Sequence, residues 1–335
     1  MRRQTVLFIF FLALPIFVSC SPSTMRPANK RMDSNQTSQS IPATSSKLKD
    51  QSSQQPASGK SDSVTTSSAA TLPQLTHVAL VVLENRSYDQ VVNNSEMPYY
   101  NSLLRRYGLA TNYFATTHPS IGNYFMLTTG QIVTRNDSFS GTTAVNSIVD
   151  VLTQAGKTWK AYAEGLPSVG YIGGSKGRYL KRHNPFAYFV SVQASTTERL
   201  NLVPASELSV DIAKNALPNF AFIIPDACND AHDCSLATAD RWLQQHIDPL
   251  ITDSKFKQSG LLIIVFDEGR EDDRSHGGGH DSVLLIGDSV KPGYQSEVFY
   301  QHQNILRTIL QVLGVPNYPG AAATATPMDD FFLSP

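Results

Sequence analysis

HVALVVLEN, residues 77–85, is an apolar, β-branched run that ends abruptly in an acid and an amide. A run without polar interruption is typical of a strand that is buried on both faces of a sheet. FAFII (220–224), LLIIVF (261–266) and VLLIG (283–287) have the same character. The sequence therefore predicts four core strands.

Segments with helical periodicity lie between these strands, and several of them close with a glycine. They are MPYYNSLLRRYG (97–108), AVNSIVDVLTQAG (144–156), ADRWLQQHIDPLI (239–251) and HQNILRTILQVLG (302–314). Strands that alternate with helices predict an α/β fold with a mainly parallel central sheet flanked by helices on both faces. We expect one catalytic domain over residues 73–335, because no repeat or second shift in composition divides that region.

The composition bears on possible partners. The chain has 335 residues, which is enough for a sizeable core, and its formal net charge is −1. Without a basic surplus or an acidic run, the sequence gives no reason to expect nucleic-acid binding. It says nothing about the oligomeric state.

The N-terminal residues are typical of an exported protein. Two arginines precede an apolar run that is too short to span a membrane comfortably. The cysteine that follows FVS resembles a bacterial lipobox, so we predict a lipoprotein-type secretory signal over residues 1–19 and lipid attachment at Cys20. A plain signal peptide that happens to contain a cysteine is the alternative.

Residues 20–72 are rich in Ser, Thr, Gln and Pro and contain almost no large apolar side chains. Such a segment cannot bury enough surface to fold, which predicts a disordered tether. Behind a lipidated cysteine, it would hold the domain away from the membrane of a bacterial envelope, on the periplasmic face or the cell surface.

Cys228 and Cys234 are the only other cysteines. In an oxidising compartment, two cysteines six residues apart favour a disulfide that closes a small loop. Free thiols or metal ligands are the alternatives.

Two of the predicted strands end in the same way, one in Glu84-Asn85 and the other in Asp267-Glu268. Ligands of open α/β sheets bind beyond the carboxyl ends of the strands, so these four side chains should meet at one edge. Three carboxylates repel each other unless a cation lies between them. Oxygen ligands favour Mg²⁺, Ca²⁺ or Mn²⁺ over Zn²⁺. The alternative is that Asn85 and Glu268 merely cap turns.

THPSIGNYFMLTTG, residues 117–130, predicts a helix that begins after Pro119. Ser120 at its start has two interpretations. It is an ordinary N-cap, or it is a nucleophile presented beside free backbone N–H groups, which form a natural phosphate site.

Five segments, in this order, resemble the phosphoesterase family of acid phosphatases and phospholipases C, within the alkaline phosphatase superfamily. They are VVLENRSYDQ (81–90), THPSIGNYFMLTTG (117–130), PDACNDAHDC (225–234), VFDEGREDDRSHGGGH (265–280) and YQHQNILRTILQVLGVP (300–316). The resemblance covers nearly all of residues 76–332 and implies an alkaline phosphatase-like sandwich.

The same resemblance implies the roles of individual residues. Ser120 takes the place of the nucleophile, and Asn123 that of the asparagine that contacts a phosphate oxygen. The implied ligands of a divalent metal ion are Glu84, Asn85, Ser120, Asp267 and Glu268. The His-rich second metal site of alkaline phosphatase has no counterpart here, so we expect a single cation.

The histidines are weaker candidates. We expect His118, His232 and His280 to anchor phosphate oxygens or to protonate the leaving alkoxide. Asp230 would orient His232 or touch the ligand. His276 is less well supported, and Tyr162 and Glu164 resemble a family motif without an assignable task. The remaining histidines, expected to be structural or exposed, are His77, His183, His246 and His302.

The expected function is therefore an exported, metal-dependent phosphomonoesterase of the acid phosphatase type, which acts on a phosphate ester through a phosphoserine. A phospholipase C, a phosphodiesterase with the same machinery, is the first alternative. A non-catalytic surface binding lipoprotein is the second, and it would predict a damaged ligand set.

Overall fold

A mixed sheet organises residues 72–334, which are the part of the chain that the computed structural model describes. Its strands within that range are β1 (His77–Leu83), β2 (Gly108–Phe114), β3 (Trp159–Ala163), β4 (Leu202–Pro204), β5 (Phe220–Ile224), β6 (Gly260–Phe266), β7 (His280–Ile286), β8 (Gln295–Ser296) and β9 (Tyr300–Gln301). All four strands predicted from apolar runs are present. The others were missed because polar or small residues interrupt them or because they are short.

The spatial order of the sheet is β4-β3-β5-β1-β6-β7-β2-β8, and β9 also pairs with β2. Strand β7 is antiparallel to both of its neighbours, β6 and β2. The other pairings run parallel. The predicted α/β fold with a mainly parallel sheet is thus confirmed.

The helices that connect and cover the strands are short. They are α1 (Tyr88–Val91), α2 (Pro98–Leu104), α3 (Ser120–Thr129), α4 (Ile148–Gln154), α5 (Val190–Ala194), α6 (Thr196–Arg199), α7 (Glu207–Lys214), α8 (Leu236–His246), α9 (Asp248–Thr252), α10 (Ser254–Ser259) and α11 (His302–Val312). The predicted segment 239–251 is divided between α8 and α9 next to Pro249. Proline cannot continue a helix because it lacks the N–H donor and its ring clashes with the preceding turn.

Strand β1 shows how the sheet builds two cores. Its alternate residues Val78, Leu80 and Val82 face one hydrophobic cluster, which contains residues of α3, α4 and α11. Ala79, Val81 and Leu83 face the other, which contains residues of α2 and α8. Because successive strand side chains point to opposite faces, an uninterrupted apolar strand requires this two-sided cover. The polar residues that follow β1 therefore emerge at a fixed edge of the sheet.

The predicted signal at residues 1–19, the lipidation site Cys20 and nearly all of the predicted tether lie outside the described residues. Leu72, the last residue of that tether, is buried in the core. Within the described range, no helix is long and apolar enough to cross a membrane.

A disulfide joins Cys228 and Cys234, as the sequence predicts. It closes the loop that follows β5. Glu164 and Tyr162, for which the sequence suggested no role, make structural contacts. Glu164 accepts hydrogen bonds from the backbone N–H of Asp226 and from Asn229, at 2.9 and 3.0 Å. Tyr162 instead donates to Asp211, at 2.6 Å.

The glycines of HGGGH, residues 276–280, pack against protein backbone. Gly278 donates to the carbonyl of Ala115, and Gly279 accepts from the N–H of the same residue. A Cβ built on Gly278 would lie 2.5 Å from the carbonyl oxygen of Thr117. These glycines therefore permit close approach of the loop to residues 115–117.

Replacing Gly278 by Ala should lower the free energy of unfolding by about 1–3 kcal/mol, because the added methyl group overlaps backbone atoms. The matched control is Gly174→Ala, where an added Cβ meets nothing within 4 Å. That change should alter stability by less than about 1 kcal/mol. Urea denaturation of both variants checks this difference, and equal effects would contradict the packing assigned to Gly278.

Candidate active site

The buried acids sit where two neighbouring strands end. In the parallel β1–β6 pair, Leu83 lies opposite Phe266, so the next residues, Glu84 and Asp267, emerge side by side. The N–H of Asn85 donates to Asp267 Oδ1 at 3.2 Å, which joins the two strand ends directly. Glu84 and Asp267 are both fully buried. The juxtaposition expected from the sequence is present.

Ser120 occupies the first position of helix α3, whereas Pro119 is the N-cap residue and makes no side-chain cap. The interpretation of Ser120 as an ordinary N-cap is therefore wrong. Its Oγ lies 3.0 Å from Glu84 Oε2 and 3.4 Å from Glu268 Oε1, and either oxygen can accept its proton. The hydroxyl points at the acid cluster instead of at the backbone of its own helix.

Negative charge is crowded at the buried carboxylates Glu84 and Asp267. Burial and the neighbouring charges of Asp267 and Asp230 raise the pKa of Glu84 well above its usual range. Burial and the adjacent Glu268 do the same for the pKa of Asp267. Among residues 72–334, no lysine or arginine forms a salt bridge with these acids. The buried Oδ2 of Asp267 has no hydrogen-bond partner there either. A divalent cation fits this combination of negative charge and orphaned oxygen.

His183 belongs to the same cluster, although the sequence suggested only a structural or exposed residue. Its Nε2 lies 3.2 Å from Glu84 Oε1, and its Nδ1 lies 3.2 Å from Asp230 Oδ2. One ligand atom from each of the three residues lies within 4.8 Å of the others, so this buried triad could also bind a metal ion. Burial lowers the pKa of His183, which favours the neutral imidazole that a metal requires.

Tyr124 connects Glu84 to the rest of helix α3. Its hydroxyl donates to Glu84 Oε1 at 2.5 Å, and its ring stacks on His183 with the ring centroids 5.1 Å apart. Residues four apart lie on one face of a helix, so Tyr124 and Ser120 both reach the cluster. No local pattern in the sequence indicates this polar contact of Tyr124.

His118 is held by two acceptors. Its Nδ1 lies 3.1 Å from Glu268 Oε2, and its Nε2 lies 2.8 Å from the carbonyl oxygen of Asp273. Burial disfavours the charged ring, but the hydrogen bonds to Glu268 and Asp273 outweigh that effect and raise the pKa of His118. The arrangement favours an imidazolium at the edge of the cluster.

The amide of Asn123 is fully used within the protein. Its Oδ1 accepts from the N–H groups of Thr116 and Thr117, both at 3.1 Å. Its Nδ2 donates to the carbonyl of Thr117 at 2.7 Å and to Glu268 at 3.3 Å. In this geometry Asn123 clamps the segment before the helix, and its implied contact with a phosphate oxygen stays a prediction.

His232 and Asp230 lie in the loop after β5. We expected the side chain of Asp230 to orient the ring of His232, but the two side chains do not contact each other. Asp230 Oδ1 accepts the backbone N–H of His232 at 2.8 Å, and burial raises the pKa of Asp230 to about 8. The His232 ring instead lies between Asp233, at 2.6 Å, and Arg182, at 3.0 Å. Because arginine can only donate, Nε2 of His232 accepts and Nδ1 carries the proton.

The structure does not bring His280 into this cluster. Its Nε2 lies 2.9 Å from the carbonyl oxygen of Thr111, and its ring stacks between Tyr88 and Phe114. His276 is exposed and contacts Phe114 from the other side. The functional roles expected for these two histidines have no support from their contacts.

The other histidines have ordinary partners. His77 and His246 hydrogen-bond to backbone carbonyls near the surface. His302 is buried below Asp267, whose carbonyl oxygen lies 2.7 Å from its Nε2. Burial lowers the pKa of His302 to about 4, so it is neutral and supports the strand end.

The N-terminus of α3 is only partly free. The N–H of Ile121 donates to Asp137 Oδ1 at 3.2 Å, and Arg182 lies 3.6 Å from the second oxygen of Asp137. A carboxylate at this position satisfies a backbone donor and the helix dipole. The phosphate site expected at this helix end would thus share its amides with Asp137.

A cavity of about 540 Å³ leads to the cluster. Its lining includes His118, His232 and Glu268 from the candidate site and three arginines, Arg86, Arg270 and Arg274. Asn85 and Glu268 line it as well, so the cavity reaches the residues that follow the fully buried acids Glu84 and Asp267 in the sequence.

The sheet with a polar cluster beyond its strand ends is the arrangement of the alkaline phosphatase type of α/β fold. A solved protein of the alkaline phosphatase superfamily from Vibrio parahaemolyticus superposes with a TM-score of 0.56 at 13% identity, covering 78% of this chain and 73% of that one. At this identity the likeness shows the fold alone. Residues 91–316 match the Phosphoesterase family. The chain belongs to this family and is therefore a phosphoric ester hydrolase.

Two relatives illustrate the membership. The phosphatidylinositol-3-phosphatase of Mycobacterium tuberculosis is 34% identical over 266 residues, which cover 79% of this chain and 85% of the relative. An acid phosphatase of Aspergillus fumigatus is 31% identical over 249 residues, which cover 71% of this chain. The matched region is 54% of the fungal protein, so the chain spans about half of its length.

Replacing Asn123 by Asp should lower the free energy of unfolding by about 2–4 kcal/mol in the presence of chelator. The change removes two buried donors and places a carboxylate against Glu268. Asn136→Asp is the matched control, because Asn136 is exposed and its Oδ1 acceptor is retained. It should shift stability by about 0.5 kcal/mol or less in chemical denaturation. Similar losses in both variants would argue against the clamp.

Proposed function

We propose that the protein is an exported, metal-dependent phosphomonoesterase of the acid phosphatase type with Ser120 as its nucleophile. The observation that carries the proposal is the position of Ser120 Oγ, at a buried helix start and 3.0 Å from Glu84 Oε2. A serine used only for structure has no need of several buried acids around its hydroxyl. The relatives named as a phosphatidylinositol-3-phosphatase and an acid phosphatase support a monoester substrate.

In the proposed reaction, Ser120 Oγ gives its proton to Glu84 and attacks phosphorus. The new Oγ–P bond forms as the ester P–O bond breaks, and the leaving oxygen takes a proton from His118. Water then attacks the phosphoserine and gives a proton to His118 as the Oγ–P bond breaks. Ser120 Oγ takes back the proton held by Glu84, and inorganic phosphate is released. The position of His118 between Glu268 and the carbonyl of Asp273 supports its charged form before transfer.

The proposed metal ligands are Glu84, Asn85, Ser120, Asp267 and Glu268. A divalent cation bound there would supply charge stabilisation for the serine oxygen and for the equatorial phosphate oxygens. These five residues offer oxygen atoms, which favours Mg²⁺, Ca²⁺ or Mn²⁺, whereas a cation in the Glu84–His183–Asp230 triad would also accept a nitrogen ligand.

Export is supported by the disulfide, since such bonds persist outside the reducing cytoplasm. The signal, the lipid on Cys20 and the tether remain proposals that rest on the sequence. We place the catalytic domain at residues 73–335, anchored to the bacterial envelope through that N-terminus.

Ser120→Ala should reduce turnover of p-nitrophenyl phosphate about 10³-fold or more while the protein stays folded, because no other residue can form the phosphoserine. Ser138→Ala, at an exposed serine, should retain activity within about twofold. Rapid acid quenching and mass spectrometry should find phosphate on Ser120 only in the wild type. Near-wild-type turnover by Ser120→Ala would remove Ser120 from the nucleophilic role.

The same assay on p-nitrophenyl phosphorylcholine tests the phospholipase C alternative. We expect turnover of the monoester and little of the diester. Preference for the diester would replace the proposal with a phosphodiesterase, and no turnover of either compound at any pH or with any divalent cation would favour a binding protein.

Asp267→Asn tests the cation. In chelator, loss of one buried charge should raise the melting temperature, by about 2–4 °C for each kcal/mol of relieved repulsion. A cation at a hundred times its Kd should stabilise the wild type by about 2.7 kcal/mol, and the variant by much less. Asp272→Asn, at an exposed acid, is the control and should respond like the wild type. Equal stabilisation of Asp267→Asn and wild type would exclude Asp267 as a ligand.

A further inference from the structure

We propose that Arg86 and Arg274 form an anion subsite at the mouth of the catalytic cavity, which selects phosphomonoesters that carry a second phosphate on the same alcohol. The inference rests on the proposed function, because it assigns the substrate class of that same site. Both arginines line the cavity that contains His118 and Glu268, and Glu268 Oε1 lies 3.4 Å from Ser120 Oγ, so a substrate that reaches Ser120 through this cavity lies near them.

Arg86 follows the strand-end pair Glu84-Asn85 directly. Its guanidinium donates to two backbone carbonyls, those of Asn85 at 3.1 Å and Cys234 at 3.4 Å. Among the described residues, it forms no salt bridge. The carbonyls therefore orient the guanidinium toward the cavity wall without neutralising its charge. An oriented arginine with a free charge is suited to a phosphate, since its planar fork can donate two parallel hydrogen bonds.

Arg274 is exposed on the loop before the glycines and has no side-chain hydrogen bond or salt bridge to any residue from 72 to 334. Its charge is nevertheless near the candidate active site, because Arg274 and His118 line the same cavity. Arg274 thus contributes a positive charge that nothing in the described part of the chain offsets.

Arg270 lines the same cavity but has already been neutralised. Its Nη1 lies 2.9 Å from both oxygens of Asp89, and its Nε lies 3.0 Å from Asp272. The rim therefore contains one paired arginine beside two unpaired ones. Arg270 therefore holds the loop in place, whereas Arg86 and Arg274 are available to a ligand.

Within residues 72–334, Glu271 is an unpaired negative charge in the lining of the same cavity. It lines the cavity, is exposed, and forms no salt bridge with the described residues. Its carboxylate would repel a second phosphate, so the subsite must use the arginines to overcome it. The free charges favour an anionic group over a neutral one, and a phosphate can accept two parallel hydrogen bonds from an arginine guanidinium. A soluble bisphosphate and the headgroup of a phosphorylated inositol lipid both present this chemistry.

The experiment compares three substrates with the same scissile group on full-length protein loaded with a divalent cation. Inositol 3-phosphate carries no second phosphate. Inositol 1,3-bisphosphate carries a second phosphate in a soluble compound, and short-chain phosphatidylinositol 3-phosphate carries it as the phosphodiester of a lipid. We expect the KM of the second and third to be about tenfold lower than that of the first. Arg86→Gln and Arg274→Gln should each reduce this ratio to about threefold or less.

Two variants of the same rim serve as controls. Arg270→Gln removes a positive charge that does not face the ligand and leaves Asp89 and Asp272 unpaired, so it should lower the ratio by no more than about twofold. Glu271→Gln removes the opposing charge and should raise the ratio about twofold, because an exposed charge is strongly screened. Arg274 has no side-chain contact to lose, so its variant separates loss of the subsite from misfolding if Arg86→Gln proves unstable.

Failure of the anion subsite can be distinguished from failure of the proposed function. Calorimetric titration of Ser120→Ala with inositol 3-phosphate and inositol 1,3-bisphosphate measures the same preference as binding. Should Ser120→Ala still release inorganic phosphate, the proposed nucleophile fails, and the ratio of KM values for that variant tests the subsite instead. Tighter binding of the bisphosphate that is lost in Arg274→Gln supports the subsite. Equal binding of both compounds, equal loss in Arg270→Gln, or a preference for the lipid without one for the bisphosphate would overturn it.

Discussion

Uncompensated negative charge at the ends of β1 and β6 is the constraint on which the site depends. Parallel pairing of these strands forces Glu84 and Asp267 together, and the two-sided cover of the sheet keeps them from water. Burying a charge without a partner costs several kcal/mol, so such acids must be protonated or must share a cation. Ser120 and Tyr124 each donate to Glu84, but neutral donors only reduce the cost. No lysine or arginine among the described residues pairs with these acids, and a bound divalent cation would supply the missing positive charge.

The sequence was sufficient where local pattern and topology agree. Uninterrupted apolar runs predict core strands, and acids directly after two such runs must share an edge if the strands are parallel. Glu84 and Asp267 could therefore be paired from their positions alone. The turn chemistry of Pro119 likewise predicted where α3 begins, although it left the direction of the Ser120 hydroxyl open between the cap and the cluster. That direction depends on residues from β1 and β6, which no local pattern contains.

His183 and Asn123 could not be assigned for the same physical reason. His183 lies in a 3₁₀ turn, Lys181–His183, where no periodicity marks a buried face, and its partners Glu84 and Asp230 are distant in sequence. The amide of Asn123 fits a ligand contact as well as it fits the backbone of residues 116–117, and only the packed structure shows that the backbone takes it. Polar contacts made across the fold are set by packing, which propensity does not encode.

The two kinds of charge in this cavity have different consequences for chemistry and for recognition. Acids that are buried at strand ends are shielded from solvent and pair with no lysine or arginine of residues 72–334, so this cluster could hold a metal ion. Rim arginines face solvent, and whether each one attracts a substrate depends on a nearby carboxylate. Arg270 is paired with Asp89 and Asp272, whereas Arg274 is not. Because one substitution on an exposed loop can pair or free such a charge, specificity in this fold can change without disturbing the buried site.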